Sequence, residues 1–153
     1  MGGSLNFTAA LFLPADRPER FGKATAAGAD AAILDLEDAV AADAKGAGRA
    51  ALRSDLAFVP VRARVNGLGT PWHAAHMAAR AGRGLAAVIV PKAEAGAAFT
   101  ALCETAPVPV IAWPVSSDYR RRPEWPGPAS AAVSPSRARE RTISCAGAAP
   151  TGT

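Results

Sequence analysis

Six polar side chains interrupt runs that are otherwise apolar. Asp35 and Glu37 lie in AAILDLED, Arg62, Arg64 and Asn66 in VRARVN, and Lys92 follows AAVIVP. Residues two apart in a strand share a face. Asp35 and Glu37 are therefore set opposite Leu34 and Leu36, and the Arg62, Arg64, Asn66 series opposite Val61, Ala63 and Val65. Three successive strands bring acid, base and base to one end of a sheet. Buried charges are costly unless paired or used. One use is an ion-pair network inside the sheet, Asp35 or Glu37 with Arg62 or Arg64. The other is a site for an anion or carboxylate, in which a guanidinium meets charge on oxygen. The gathering of the whole set at one end favours the site.

The elements that must position these residues alternate regularly up to Ala112. Apolar runs predict strands near 9–14, 31–36, 61–66, 86–91 and 108–112. Ala-rich stretches predict helices near 17–28, 42–53, 71–82 and 94–105. Asp16 with Glu19 resembles a capping box, Thr70-Pro71 an N-cap with a first-turn proline, and Gly28, Gly82 and Gly84 helix stops. Strands alternating with helices imply β-α-β units and a parallel sheet, whose ligands lie beyond the carboxyl ends of the strands. The partition is thus a domain at 1–112 and a tail at 113–153. The tail is rich in Pro, Arg, Ser and Ala and holds no lasting periodicity. It is expected to be disordered, and an out-of-frame reading of a GC-rich gene also produces its composition.

Several function classes are disfavoured. The net charge of +4 comes mostly from the tail, and no basic groove threaded with aromatics is present, so nucleic acid is not expected. No apolar run reaches the ~20 residues of a membrane span, and the N-terminus lacks a basic region before its apolar stretch. Cys103 and Cys145 are too few for a disulfide framework or a zinc site, which fits a reducing cytoplasm. His73 and His76, at i and i+3, have no third ligand at hand and fit a surface or core role better than a metal. Arg17 and Arg20 flank a helix start that could hold a phosphate. Gly67 and Gly69 in NGLGT mark a tight loop but no dinucleotide fingerprint. No nucleophile elbow and no P-loop occurs.

Four segments, LFLPADRPERFGKA at 11–24, GADAAILDLEDAV at 28–40, VRARVNGLGTPW at 61–72 and VIVPKAE at 88–94, resemble the HpcH/HpaI aldolase/citrate lyase family. The likeness is to its citrate lyase beta-subunit-like branch, with the malyl- and citramalyl-CoA lyases, and covers residues 8–112. It implies the N-terminal half of a TIM (β/α)8 barrel, about four and a half β-α units, from an oligomeric enzyme. An open flavodoxin-like sheet is the alternative fold. The implied reaction is retro-aldol or Claisen cleavage of a hydroxyacyl-CoA thioester (malyl, citramalyl or citryl) to a 2-oxo acid and a thioester enolate, with Mg²⁺ as Lewis acid. On this resemblance Arg64 stabilises charge on oxygen, Glu37 and Asp38 orient Arg64, Lys92 and metal-bound water, and Lys92 is the lysine of the Pro-Lys motif after the fourth strand. Arg17 and Arg20 contact CoA phosphates, and Asn66 and Gly67 contact substrate.

The resemblance also implies two metal-ligating acids, a glutamate after the fifth strand and an aspartate after the sixth. Trp113-Pro114-Val115-Ser116 stands where the first is expected, and Asp118 and Glu124 lie in the wrong context. No metal ligand is therefore assigned. The expected protein is a truncated and inactive lyase, weakly stable and prone to self-association at its open edges. A non-catalytic module that binds an acyl-CoA or a homologue is the alternative.

Overall fold

The computed structural model describes residues 7–22, 26–56, 59–94, 96–113, 131–134 and 142–145, the last two segments as backbone. Five short strands run parallel: β1 (Ala10–Pro14), β2 (Ala31–Asp35), β3 (Val61–Arg64), β4 (Ala87–Pro91) and β5 (Val110–Trp113). Helices α1 (Lys45–Ala50), α2 (His73–Ala79) and α3 (Ala97–Thr105) fill the last three crossovers. A 3-10 turn at Pro18–Arg20 opens the first, where the sequence predicts a helix near 17–28; residues 23–25 lie outside the described residues, and 26–28 form a turn.

The strands are adjacent in chain order, β1-β2-β3-β4-β5. A flavodoxin-like sheet would reverse direction, with order 2-1-3-4-5. Sequential order is that of a β/α barrel, and the chain forms the N-terminal part of one. Curvature agrees. The rings of Phe12 on β1 and Trp113 on β5 meet edge to face, 5.9 Å between centroids. Four strand spacings measured along a flat sheet would be about 19 Å. The sheet must therefore curl until the inner faces of its first and fifth strands look at each other.

Alternation sorts the core into two clusters. Leu11, Leu13, Leu34, Ala63, Val65, Val88 and Val90 point outward, towards Leu52, Met77, Phe99 and Cys103 from the helical side. Ile33, Ala87, Ile89 and Ile111, with Phe7, Ala10 and Trp113, line the concave side. Helix α1 docks closely because residue 48 is glycine. A Cβ there would sit 2.8 Å from Leu36 Cδ2 and 3.5 Å from Ala15 Cβ.

Two helix starts differ from expectation. Asp16 makes no cap; the 3-10 turn follows Arg17 without a side-chain bond. Thr70 does not cap α2, which begins at His73. Its hydroxyl instead donates to the Gly67 carbonyl (2.8 Å), closing the loop after β3. Gly28, Gly82 and Gly84 do take positive φ, as helix stops should. Within 113–153, Trp113 ends β5, and two strands not foreseen from the sequence are described: β6 (Ala131–Ser134) and β7 (Thr142–Cys145). Strand β7 runs antiparallel along β5, and β6 antiparallel along β7. The expectation of disorder otherwise falls outside the described residues. So β5 has a neighbour, but it runs against the direction a barrel requires. Among the described residues β1 is paired on one side.

Replacing Gly48 by valine forces α1 off β2. We expect a loss of about 2 kcal/mol, the usual cost of overpacking. It would be read as a lower denaturant midpoint at unchanged m-value.

Candidate functional site

Register builds the centre of the site. Asp35 and Arg64 are partners across the β2–β3 ladder, at the carboxyl ends of both strands. Arg64 donates from Nε (2.9 Å) and Nη2 (2.6 Å) to the two carboxylate oxygens of Asp35. The same carboxylate accepts the backbone N–H of Glu37 (2.9 Å) and of Ala39 (3.2 Å), so it also shapes the turn leaving β2. Asp35 is fully buried and Arg64 partly so, its side chain 19% exposed. The hydrogen bonds from Arg64 to Asp35 hold the guanidinium pKa above its ordinary value, against desolvation. The Phe12 ring covers the guanidinium, 4.9 Å away.

Glu37 bridges outward. One carboxylate oxygen lies 3.4 Å from Arg64 Nε and the other 3.2 Å from Lys92 Nζ. Lys92 is 69% exposed and has φ 51°, a left-handed backbone uncommon outside glycine. It sits just past β4 and points its charge back at β2. Gly67 allows the β3 exit to approach this place; a Cβ there would lie 3.2 Å from the Pro91 carbonyl oxygen.

The structure thus brings together Arg64, Glu37 and Lys92, with Asp35 as the hub. The expected ion-pair network is present: Asp35 takes the two-pronged edge of Arg64. That edge is therefore not open to a ligand; among the described residues Nη1 is the end left without a partner. Asp38 is exposed beside Glu37. Arg17 and Arg20 are exposed on the turn after β1, with Arg17 4.0 Å from Glu19, and neither contacts the cluster. Arg62 shares Arg64's face but lies two residues deeper, about 7 Å along the strand. Its guanidinium stacks under the Phe7 ring (4.7 Å) and feels Asp30, whose carboxylate accepts the N–H groups of Thr8 and Ala9.

Three residues of the helices, the buried Lys45 and His76 and the half-buried His73, form a layer beneath this cluster. Lys45, the first residue of α1, donates its ammonium to the carbonyls of Leu36 (2.6 Å) and Glu37 (2.5 Å) and lies over the Trp72 ring (5.3 Å). Burial pushes its pKa down, opposed by Asp35, Glu37 and Asp38. From α2, His73 Nδ1 donates to the Asn66 carbonyl (2.8 Å) and His76 Nε2 to Asn66 Oδ1 (3.0 Å). Burial first, then Arg49, Lys45 and His73, depress the His76 pKa to about 4. Lys45 escaped the sequence reading because it falls in an exposed-looking stretch. The histidine spacing did signal a shared target, and that target is Asn66.

A magnesium ion does not fit these residues as they stand. Among the described residues no three His, Cys, Asp or Glu side chains converge as ligands. Asp35 and Glu37 are already matched to Arg64 and Lys92.

The family model of the HpcH/HpaI aldolase/citrate lyase proteins matches residues 8–109. A citrate lyase subunit beta-like protein of Mycobacterium tuberculosis is 51% identical over 104 residues, 67% of this chain and 36% of the relative. A (3S)-malyl-CoA thioesterase of Cereibacter sphaeroides is 36% identical over 106 residues, 66% of this chain and 37% of that protein. Among solved structures, the citrate lyase beta subunit of M. tuberculosis complexed with oxaloacetate and magnesium superposes with TM-score 0.59 at 47% identity. It covers 71% of this chain and 47% of its own. The M. tuberculosis protein in complex with magnesium, acetoacetate and coenzyme A gives TM-score 0.57 at 46% identity, over 69% of this chain and 39% of that one. The chain therefore spans just over a third of the curated relatives it matches.

Two predictions follow from the buried charges. Asp35→Asn leaves Arg64 without its partner and should cost about 3 kcal/mol, measured by denaturant titration. His76 has a folded pKa of about 4 against an ordinary 6.5. The unfolded chain takes up that proton first, so this contribution is whole above pH 6.5. It falls by on the order of 3 kcal/mol towards pH 4. Melting curves should show that slope in the native protein and a flatter one in His76→Gln.

Proposed function

The chain belongs to the HpcH/HpaI aldolase/citrate lyase family, and from that premise we propose that it carries the carboxylate-recognition half of a carbon–carbon lyase acting on hydroxyacyl-CoA thioesters. The observation that carries this reading is Arg64, locked by Asp35 with Nη1 turned free, at the carboxyl ends of parallel strands. Nη1 and the exposed ammonium of Lys92 are donors for the carboxylate of a 2-oxo acid such as oxaloacetate, which the M. tuberculosis relative binds. Glu37 holds both cations in place, and Asp38 lies at the rim. In this reading Asn66 and Gly67 contact substrate after β3, and Arg17 and Arg20, exposed on the turn after β1, contact the phosphates of a CoA tail.

Cleavage of malyl-CoA breaks the carbon–carbon bond between the carbinol carbon and the thioester's α-carbon. The carbinol hydroxyl gives up its proton as it becomes the carbonyl of glyoxylate, and the acetyl-CoA enolate left by the broken bond takes a proton on carbon. A guanidinium fixed beforehand pays no reorganisation when charge appears on oxygen. The M. tuberculosis relative is complexed with magnesium, and the described residues of this chain do not compose a site for that ion. The chain as given is proposed to bind the anion without turning over, in the reducing cytoplasm, as a member of an oligomer.

Isothermal titration with oxaloacetate tests the binding. Arg64→Lys keeps the charge but loses the fork and should weaken binding about tenfold, and Lys92→Met about threefold. Unchanged affinity in both would remove the site assignment. Incubation with malyl-CoA and Mg²⁺ tests turnover. Acetyl-CoA with glyoxylate would overturn the claim of inactivity. Free CoA with malate would do the same and favour thioester hydrolysis, the activity in the name of the C. sphaeroides relative.

A further inference from the structure

Two strand exits carry the site's polar groups, and each is gripped from the helical side. Lys45 is buried, yet its ammonium meets carbonyls and no carboxylate. Leu36 and Glu37 supply those carbonyls, and they belong to the two peptide units flanking the Glu37 Cα. The N–H of the first unit is held by Asp35. Both peptide planes around Glu37 are thus fixed, and with them the direction in which its side chain leaves the backbone.

Asn66 is treated in the same way. The carbonyl goes to His73 and Oδ1 to His76. A carbonyl-type oxygen only accepts, so His76 carries its proton on Nε2 and presents a bare Nδ1. That Nδ1 is buried without a partner among the described residues. With Oδ1 engaged, the amide presents its N–H donors elsewhere. Burial first, and then the charges of Arg49 and Lys45, also keep His76 neutral.

We propose that Lys45 and His76 are positioning residues, helix-borne donors that aim Glu37 and the Asn66 amide at a ligand held by Arg64. This rests on the reading of Arg64 as the anion contact. It predicts that losing either donor harms recognition beyond any loss of stability, as outer-shell partners do.

The test uses the whole chain and oxaloacetate as probe. Lys45→Met keeps the apolar stem over Trp72, and His76→Leu removes the donor. Each should weaken binding about tenfold while the protein remains folded. His76→Gln restores a donor and should recover most of the affinity. Variants that bind as tightly as the native chain overturn the proposal. If the native chain itself fails to bind oxaloacetate, the functional reading falls, and ligand-free spectra judge positioning alone. Nitrogen-15 spectra should show His76 as the Nε2–H tautomer at neutral pH. The Asn66 side-chain amide should shift in His76→Leu and return in His76→Gln. The Glu37 carboxyl resonance should move in Lys45→Met. An Nδ1–H tautomer, or native resonances in folded variants of lowered melting temperature, would mean a merely structural role and overturn the proposal.

Discussion

The Asp35 carboxylate is the constraint on which the rest of the site depends. It is buried, so its charge must be met in full. Two donors come from Arg64 and two from the backbone at Glu37 and Ala39. The first pair ties β2 to β3 and sets the plane of the guanidinium. The second bends the chain after β2 and delivers Glu37 to a place where it reaches Arg64 and Lys92 together. One residue thereby fixes the register of two strands, the turn between strand and helix, and the open edge of the arginine. Phe12 closes the remaining face of that guanidinium. This contact is possible because Asp35 draws the guanidinium over β2, beside the strand that carries Phe12.

The parallel architecture was legible because it follows from alternation. The runs AAILD and AVIVP are apolar on both faces and end in turn residues, a pattern few structures other than covered parallel strands satisfy. Placement of Asp35, Glu37 and Arg64 on a shared face follows from the period of two. The partner choices were less legible. Arg62 and Arg64 are equivalent in pattern, and only the ladder register sets Asp35 opposite Arg64 and leaves Arg62 one layer down. Helix starts were read too early because a local signal competes with tertiary contact. Thr70 would cap a helix in isolation, but the loop it closes with Gly67 defers α2 to His73.

The polar layer under the sheet was the hardest to foresee. Lys45, His73 and His76 sit among Ala and Gly, where a charged residue reads as solvated. Their burial depends on how near α1 and α2 approach the strand ends, and that approach depends on small residues such as Gly48. A side chain that reaches a carbonyl of another element leaves no periodic trace in the sequence.

Charge balance then limits what this end of the sheet can hold. Asp35, Glu37 and Asp38 are matched in number by Lys45, Arg64 and Lys92. A cluster without net charge exerts little long-range pull, so affinity must come from donors left open at contact distance. Arg64 Nη1 and the Lys92 ammonium are such donors, and both suit an organic anion. Asp35 and Glu37 offer no comparable opening to a cation, because Asp35 is saturated with hydrogen bonds and Glu37 spans two positive groups. To seat a divalent ion here, Glu37 would have to give up Arg64 or Lys92, and those cations would then repel the newcomer. Donors for an organic anion and ligands for a metal are thus separable demands on such a barrel, and among the described residues the strand ends present the first.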